Sequence, residues 1–248
     1  MKYSIRWIVW IAISYPFMGW AEPIILLGSD TWKPKSFLEE KVPKGYAVEA
    51  AQAVLTEAGY QVETRLSTWA RSVEDAKAGK GVLTHVSKTP ERETFFEFSE
   101  PLVFDRIVVV VKKGKEFPFA SPKDLANKVV GVLRGATYGG AWSEASKTLK
   151  IEYDVGAEAR IGKLMRDRLD AAIISSGKAG LQIAAAAEGY DLSLFTILPT
   201  PVLQDPNYLA IAKDENSKKK MAVINAAIRK LHADGTIDRI MRSYGAQQ

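Results

Sequence analysis

The 248-residue chain contains no cysteine. That absence excludes disulfide scaffolds, thiolate zinc sites, cysteine nucleophiles and lipid-modified N-terminal cysteine anchors. Histidine is nearly absent: His85 and His232 are the only two, far apart in the chain. A histidine-rich metal site is therefore excluded, no metal or cofactor is expected, and a Ser-His-Asp triad would have to use one of the two. No glycine period and no sustained heptad is present, which removes collagen-like and coiled-coil readings. Long hydrophobic runs are missing as well, and none reaches the roughly 20 residues needed to span a bilayer. Nor does one sign of charge dominate. Against 29 acidic side chains stand 34 basic ones, a net charge of +5, too mild to argue for a nucleic-acid partner. The basic run Lys218-Lys219-Lys220 opens an amphipathic helix and reads as its solvated first turn.

What is present is ordinary for a folded protein: 47% hydrophobic and 25% charged residues, values that exclude disorder for most of the chain. The length suits one large domain or two smaller ones. Residues 1–21 stand apart. Lys2 and Arg6 form a positive head, Trp7 to Met18 is apolar except for Ser14 and Pro16, and Gly19 and Ala21 are small residues placed for cleavage before Glu22. This is the three-part layout of a secretory signal peptide. The product is expected to be exported, most simply to the periplasm.

From there two kinds of segment alternate. Ile24–Leu27 is a short apolar run ending in Gly28-Ser29-Asp30, a strand and a turn. Tyr46–Ala58 is helical and stops at Gly59. Gln61–Leu66 reads as a strand, Trp69–Ala78 as a helix and Val82–Val86 as a strand. The pattern restarts with Ile107–Val111, a β-branched run suited to a buried strand. A short helix at Ser121-Pro122 follows, then strands at Val129–Leu133, Ile151–Tyr153 and Ala171–Ile174, with helices at Glu158–Arg168 and Gly177–Ala187. A strand at Leu194–Ile197 is possible on the same pattern. Tyr208–Ala212 reads as a last strand, before helices at Met221–His232 and Ile237–Tyr244. The order predicts an α/β fold of two lobes, each a mostly parallel sheet flanked by helices. The tail is expected to dock back on the first unit. The chain then crosses between lobes twice, near 104–111 and 200–208, which makes a hinge and a closable cleft. The expected division is 22–106 with 207–248 for lobe 1, and 107–206 for lobe 2.

Thr89-Pro90-Glu91-Arg92 followed by Phe98-Ser99-Glu100-Pro101 resembles the "T-x-x-R, then F-S-x-P" signature of the family 3 periplasmic solute-binding proteins, the type II two-lobed binders typified by polar amino-acid carriers. Gly28-Ser29-Asp30, Val130-Gly131-Val132, Arg134-Gly135-Ala136-Thr137, Leu169-Asp170-Ala171 and Asp234-Gly235-Thr236-Ile237 fit the same order. The resemblance covers essentially all of 22–248 and implies the type II two-lobed fold.

It also assigns candidate ligand contacts. Arg92 matches the arginine that grips the ligand's carboxylate, a task suited to a planar, permanently charged guanidinium; without the motif it reads as a surface arginine paired with Glu91 or Glu93. Ser87 matches a position that contacts the ligand. His85 stands where a small hydroxyl residue is usual, and its imidazole either narrows the pocket or is a histidine satisfied at a strand end. Trp69, in a Trp-x-Arg form that resembles a subgroup of mostly unassigned ligands, is a cleft wall or a core side chain. Arg71 is a second anion contact or a brace of the cleft floor. Asp30 holds a positive ligand group or caps a turn. Thr137, at a helix start, offers backbone N–H groups to an anion. Ser175 occupies the position where amino-acid carriers usually place the aspartate for the α-ammonium. A hydroxyl cannot neutralise a buried ammonium, so either Asp30 carries that role alone or the ligand is not a standard α-amino acid.

The function implied is a non-catalytic binder that captures a small carboxylate-bearing polar solute by closing two lobes, as a monomer, for an ABC importer. A sensory role that feeds a chemoreceptor or kinase is the alternative. A cyclohexadienyl dehydratase-like enzyme shares the fold but needs a general acid in the second-lobe wall, where Ser175, Ser176 and Gly177 supply none.

Overall fold

A computed structural model describes residues 22–136 and 138–246. Residues 1–21, expected to be a signal peptide, and Thr137, expected to face an anion, lie outside the described residues. The first half opens with strand β1 (Glu22–Ser29), then three short strands, β2 (Thr31–Trp32), β3 (Ser36–Glu39) and β4 (Val42–Lys44). Helix α1 (Tyr46–Glu57), strand β5 (Tyr60–Ser67), helix α2 (Trp69–Lys77) and strand β6 (Val82–Ser87) follow, then α3 (Pro90–Phe95) and β7 (Phe96–Phe98). The long strand β8 (Val103–Lys112) leads into β9 (Val129–Leu133), α4 (Gly139–Ala145), β10 (Lys150–Asp154), α5 (Ala157–Met165), β11 (Ala171–Ile174), α6 (Gly177–Ala187) and β12 (Phe195–Ile197). A second long strand, β13 (Leu203–Ala212), returns to helices α7 (Ser217–Ala233) and α8 (Thr236–Ser243).

The main sheet runs β5-β1-β6-β13-β8-β11-β9-β10, with β7 on β13 and β12 on β8. In each half three parallel strands are joined by one antiparallel long strand: β13 beside β6, and β8 beside β11. The two long strands meet only over Val103–Ile107 against Leu203–Asn207. At about 3.4 Å per residue, ten-residue strands are long enough to serve both halves. These are the two crossings of a two-lobed fold.

Burial follows the residue pattern. Along β8, Ile107, Val109 and Val111 enter one core, whereas Val108 and Val110 enter another on the opposite face. A strand covered on both faces needs an unbroken apolar run, which is what Ile107–Val111 provides. In the first half Leu26 and Leu27 likewise split between two cores. Met221, Ile224, Ile228, Ile237 and Met241 of the two terminal helices pack with Val54 and Leu26, so the tail docks on the first half as expected.

Several stretches carry structure that the sequence did not place in full, α3 and β7 among them. Residues 31–44 form the small antiparallel sheet β2-β3-β4, whose strands of two to four residues are too short to show a period. Helix α4 begins with Gly139-Gly140, poor helix formers, and forms because Trp142 and Ala145 are buried in the second half. Both long strands extend further than read, because Asp105-Arg106 and Gln204-Asp205-Pro206 interrupt the apolar pattern while the strands keep pairing across each other.

Candidate ligand-binding site

In an open α/β sheet, the crevice beyond the carboxyl ends of parallel strands is where ligands collect. Here those ends carry Asp30 after β1, Trp69 after β5 and Ser87 at the last residue of β6. The next turn is built by its own sequence. Thr89 caps α3, its hydroxyl accepting from the Arg92 backbone N–H at 3.2 Å, and Pro90 presets the first helical φ. That capped turn folds Arg92 back over the strand end. Its Nη1 donates to the Ser87 carbonyl at 2.8 Å, and its guanidinium carbon lies 5.8 Å from the Trp69 ring centroid. Trp69 is 5.0 Å from His85 at a tilt of 37°. Trp32 completes an aromatic box, edge-on to His85 at 5.8 Å and to Trp69 at 6.3 Å.

The structure therefore brings together Trp69, His85, Ser87 and Arg92. Asp30 sits at the end of β1, its backbone bonded to Ser67 and Leu38, with a buried Oδ1 that has no hydrogen-bond partner among the described residues. Arg71 lies elsewhere: its side chain is 72% exposed and pairs with Asp75 at 3.5 Å, in a surface depression shared with Arg65 and Lys80. Ser175 lines a cavity of about 320 Å³ whose other walls include Trp32 and Lys33 from the first half and Glu158 and Arg160 from the second.

His85 is in an unusual state. Its φ of 47° is left-handed, it is 3% exposed, and neither ring nitrogen has a hydrogen-bond partner among the described residues. Burial above all, with the Lys35 charge nearby, pushes the imidazole well below its ordinary range. The folded protein thus holds it neutral while the unfolded chain protonates it near pH 6.5. Below that pH the unfolded state binds the extra proton, so stability is complete above about pH 6.5 and declines as pH falls toward the depressed folded value, by at most about 1.4 kcal/mol per pH unit. His85→Asn, whose side chain tolerates left-handed φ, is expected to remove this component. Urea titrations between pH 7 and 4 on both proteins would show it, and identical pH slopes would contradict it.

Beside this box is a cluster that local reading missed. The Lys35 ammonium pairs with Asp105 Oδ2 at 2.5 Å, both side chains at most 5% exposed, and lies 4.8 Å from the Trp32 ring centroid. Asp105 Oδ1 accepts from the Ser176 backbone N–H at 2.8 Å and lies 3.3 Å from its hydroxyl. The Ser176 hydroxyl is also 3.2 Å from that of Tyr46, whose phenol burial pushes well above its usual range. Lys35 precedes β3, Asp105 lies on β8, Ser176 follows β11 and Tyr46 opens α1. The cluster thus ties the second half to the first. The signal for it was slight: a charged pair, Asp105-Arg106, in the otherwise apolar stretch Phe104–Val111. On the far side of Ser87, its hydroxyl donates to Asp205 Oδ2 at 2.7 Å.

Known proteins resemble this chain in sequence and fold. The model of the bacterial extracellular solute-binding proteins, family 3, matches residues 24–247. The arginine-binding extracellular protein ArtP of Bacillus subtilis is 27% identical over 234 residues, covering 89% of this chain and 85% of the relative. The L-cystine-binding protein TcyJ of Escherichia coli is 23% identical over 224 residues, covering 89% and 82%. Among solved structures, an ancestral cationic amino acid solute-binding protein superposes with a TM-score of 0.71 at 23% identity, covering 90% of this chain and 95% of its own. The second substrate-binding domain of Lactococcus lactis GlnP, in its open conformation, gives 0.70 at 18%, covering 90% and 95%. With its strand order, crossings and capped Thr-Pro-Glu-Arg turn, the chain belongs to the family 3 bacterial extracellular solute-binding proteins.

Proposed function

We propose that the protein captures a small, carboxylate-bearing, amino-acid-like solute by closing two lobes around it, and presents it to an ABC importer. Residues 22–106 with 207–248 form one lobe and 107–206 the other. The signal peptide is cleaved before Glu22, and the mature chain works as a monomer in the periplasm, without turning its ligand over. The relatives named above are named as binding proteins for amino acids, which supports this reading. A single observation carries it: Arg92 has no ion-pair partner among the described residues, yet it is held against Trp69 at the strand ends where ligands collect. A half-buried guanidinium with a fixed face and no anion is suited to a carboxylate from outside.

Thermal shifts of the purified protein with amino acids, opines, dicarboxylates, polyamines and aromatic acids test it. A ligand at 100 times its dissociation constant adds about 2.7 kcal/mol of stability. Arg92→Ala is expected to weaken carboxylate binding by about 30-fold or more, the usual loss on truncating one partner of a hydrogen-bonded charge pair. A ligand that binds wild type and Arg92→Ala equally well would show that the site lies elsewhere.

A further inference from the structure

Asp105 and Asp205 face each other across the ladder that joins β8 to β13. Like charges directly opposed destabilise an antiparallel pair. Asp105 is compensated by Lys35. Asp205 is not: no lysine, arginine or histidine pairs with it among the described residues. Its Oδ2 accepts from the Ser87 hydroxyl at 2.7 Å and from Asn207 Nδ2 at 3.3 Å, and its Oδ1 has no donor among those residues. Asn207 is 1% exposed, and its own Oδ1 is buried with no hydrogen-bond partner among the described residues. Ser87, the last residue of β6, is in register with Asn207. Asp205 therefore lies two residues past the end of β6, over the crevice.

Arg92 and Asp205 thus meet the same residue, one at the Ser87 carbonyl and the other at its hydroxyl. Each is without an ion-pair partner, and they do not pair with one another. The geometry points to Asp205, helped by the free Oδ1 of Asn207, as the cation-binding pole of the site. The ligand is then a zwitterion, with its carboxylate on Arg92 and an ammonium on Asp205. An ammonium has three protons to place, and two acceptors without donors stand ready for it. This assignment rests on the proposed role of Arg92. It also supplies the negative charge that Ser175 cannot.

Calorimetry on the purified protein decides it. Wild type is titrated with the twenty standard amino acids, ornithine and cystine, and the tightest binder is compared with its deaminated analogue, in which hydrogen replaces the α-ammonium. Wild type is expected to prefer the amino acid by about 100-fold. Asp205→Asn, which keeps the size and an acceptor for Ser87, is expected to lose about 100-fold for the amino acid and to hold the analogue unchanged. Asp205→Glu, which keeps the charge, is expected to retain a preference for the amino acid. If Arg92→Ala loses binding while Asp205→Asn binds the amino acid like wild type, the inference fails and the carboxylate site stands. Undiminished binding by Arg92→Ala overturns both, whereas a wild type that binds none of these amino acids overturns the inference alone, because the carboxylate site is tested on the wider panel. Equal wild-type affinity for amino acid and analogue overturns the inference without recourse to any variant.

Discussion

Lys35→Met is expected to destabilise the protein by about 3–5 kcal/mol, the cost of leaving one partner of a buried ion pair uncompensated. Among the described residues the ammonium is the only cation paired with Asp105, and both side chains are at most 5% exposed. The two Ser176 donors that remain satisfy hydrogen bonding on Oδ1 but supply no full charge. Changing both partners separates the charge from the packing. Lys35→Met combined with Asp105→Asn leaves a neutral amide oxygen for the Ser176 N–H and strands no charge, so most of the loss should return. Urea denaturation of the wild type, the single and the double variant measures this directly. A Lys35→Met protein within about 0.5 kcal/mol of wild type, the range of an ordinary surface substitution, would mean that the pair is not buried as described.

A loss of the same size, about 3–5 kcal/mol, is expected for Arg160→Met in the second half. Arg160 grips Asp154 with two bonds, Nε to Oδ2 at 2.9 Å and Nη2 to Oδ1 at 2.6 Å, and both side chains are 3% exposed. Its third nitrogen, Nη1, donates to the Ile173 carbonyl, so one guanidinium links β10 to β11. Methionine would fill the stem's volume but strand the Asp154 carboxylate. Lysine is expected to recover only part of the loss, since a point charge cannot reproduce the planar fork. The stem itself lies on Gly131: a Cβ there would come within 2.8 Å of Arg160 Cγ and 2.5 Å of Leu169 Cδ1. This is why Val130-Gly131-Val132 needs its bare middle position. Equal stability of Arg160→Met and wild type by denaturant titration would refute this account.

The positions of Trp69 and Arg92 in the site came from the family resemblance, Trp32 was not read, and only the turn that carries Arg92 is local in the chain. Thr89, Pro90 and Arg92 form one capped turn, and the contact of Arg92 with Ser87 spans five residues. Periodic reading also located the buried strands, because Ile107–Val111 and Ala171–Ile174 are apolar on every position and a doubly covered strand demands that. Arg71 shows the limit of local reading. Two residues from Trp69 on the same helix, it points away from the box, as a helix advances about 100° per residue.

The residues that join the halves escaped local reading for a reason of distance. Lys35 meets Asp105 across 70 positions, Ser176 meets Asp105 across 71, and Ser87 meets Asp205 across 118. A pattern read in windows of 11–18 residues cannot see such pairs. In the sequence Lys35 is one of many lysines, and Asp205 sits in a loop-like Gln-Asp-Pro. What the amino-acid order determined by itself is the alternation of strands and helices, the buried strands of both halves and the capped turn that aims Arg92, all products of short-range periodicity and backbone chemistry. What only the tertiary structure decided is the charge balance of the crevice: Asp105 has found a cation and Asp205 has not. That follows from strand register, because the long strands place the two acids opposite each other while the turn before β3 brings one lysine to one of them.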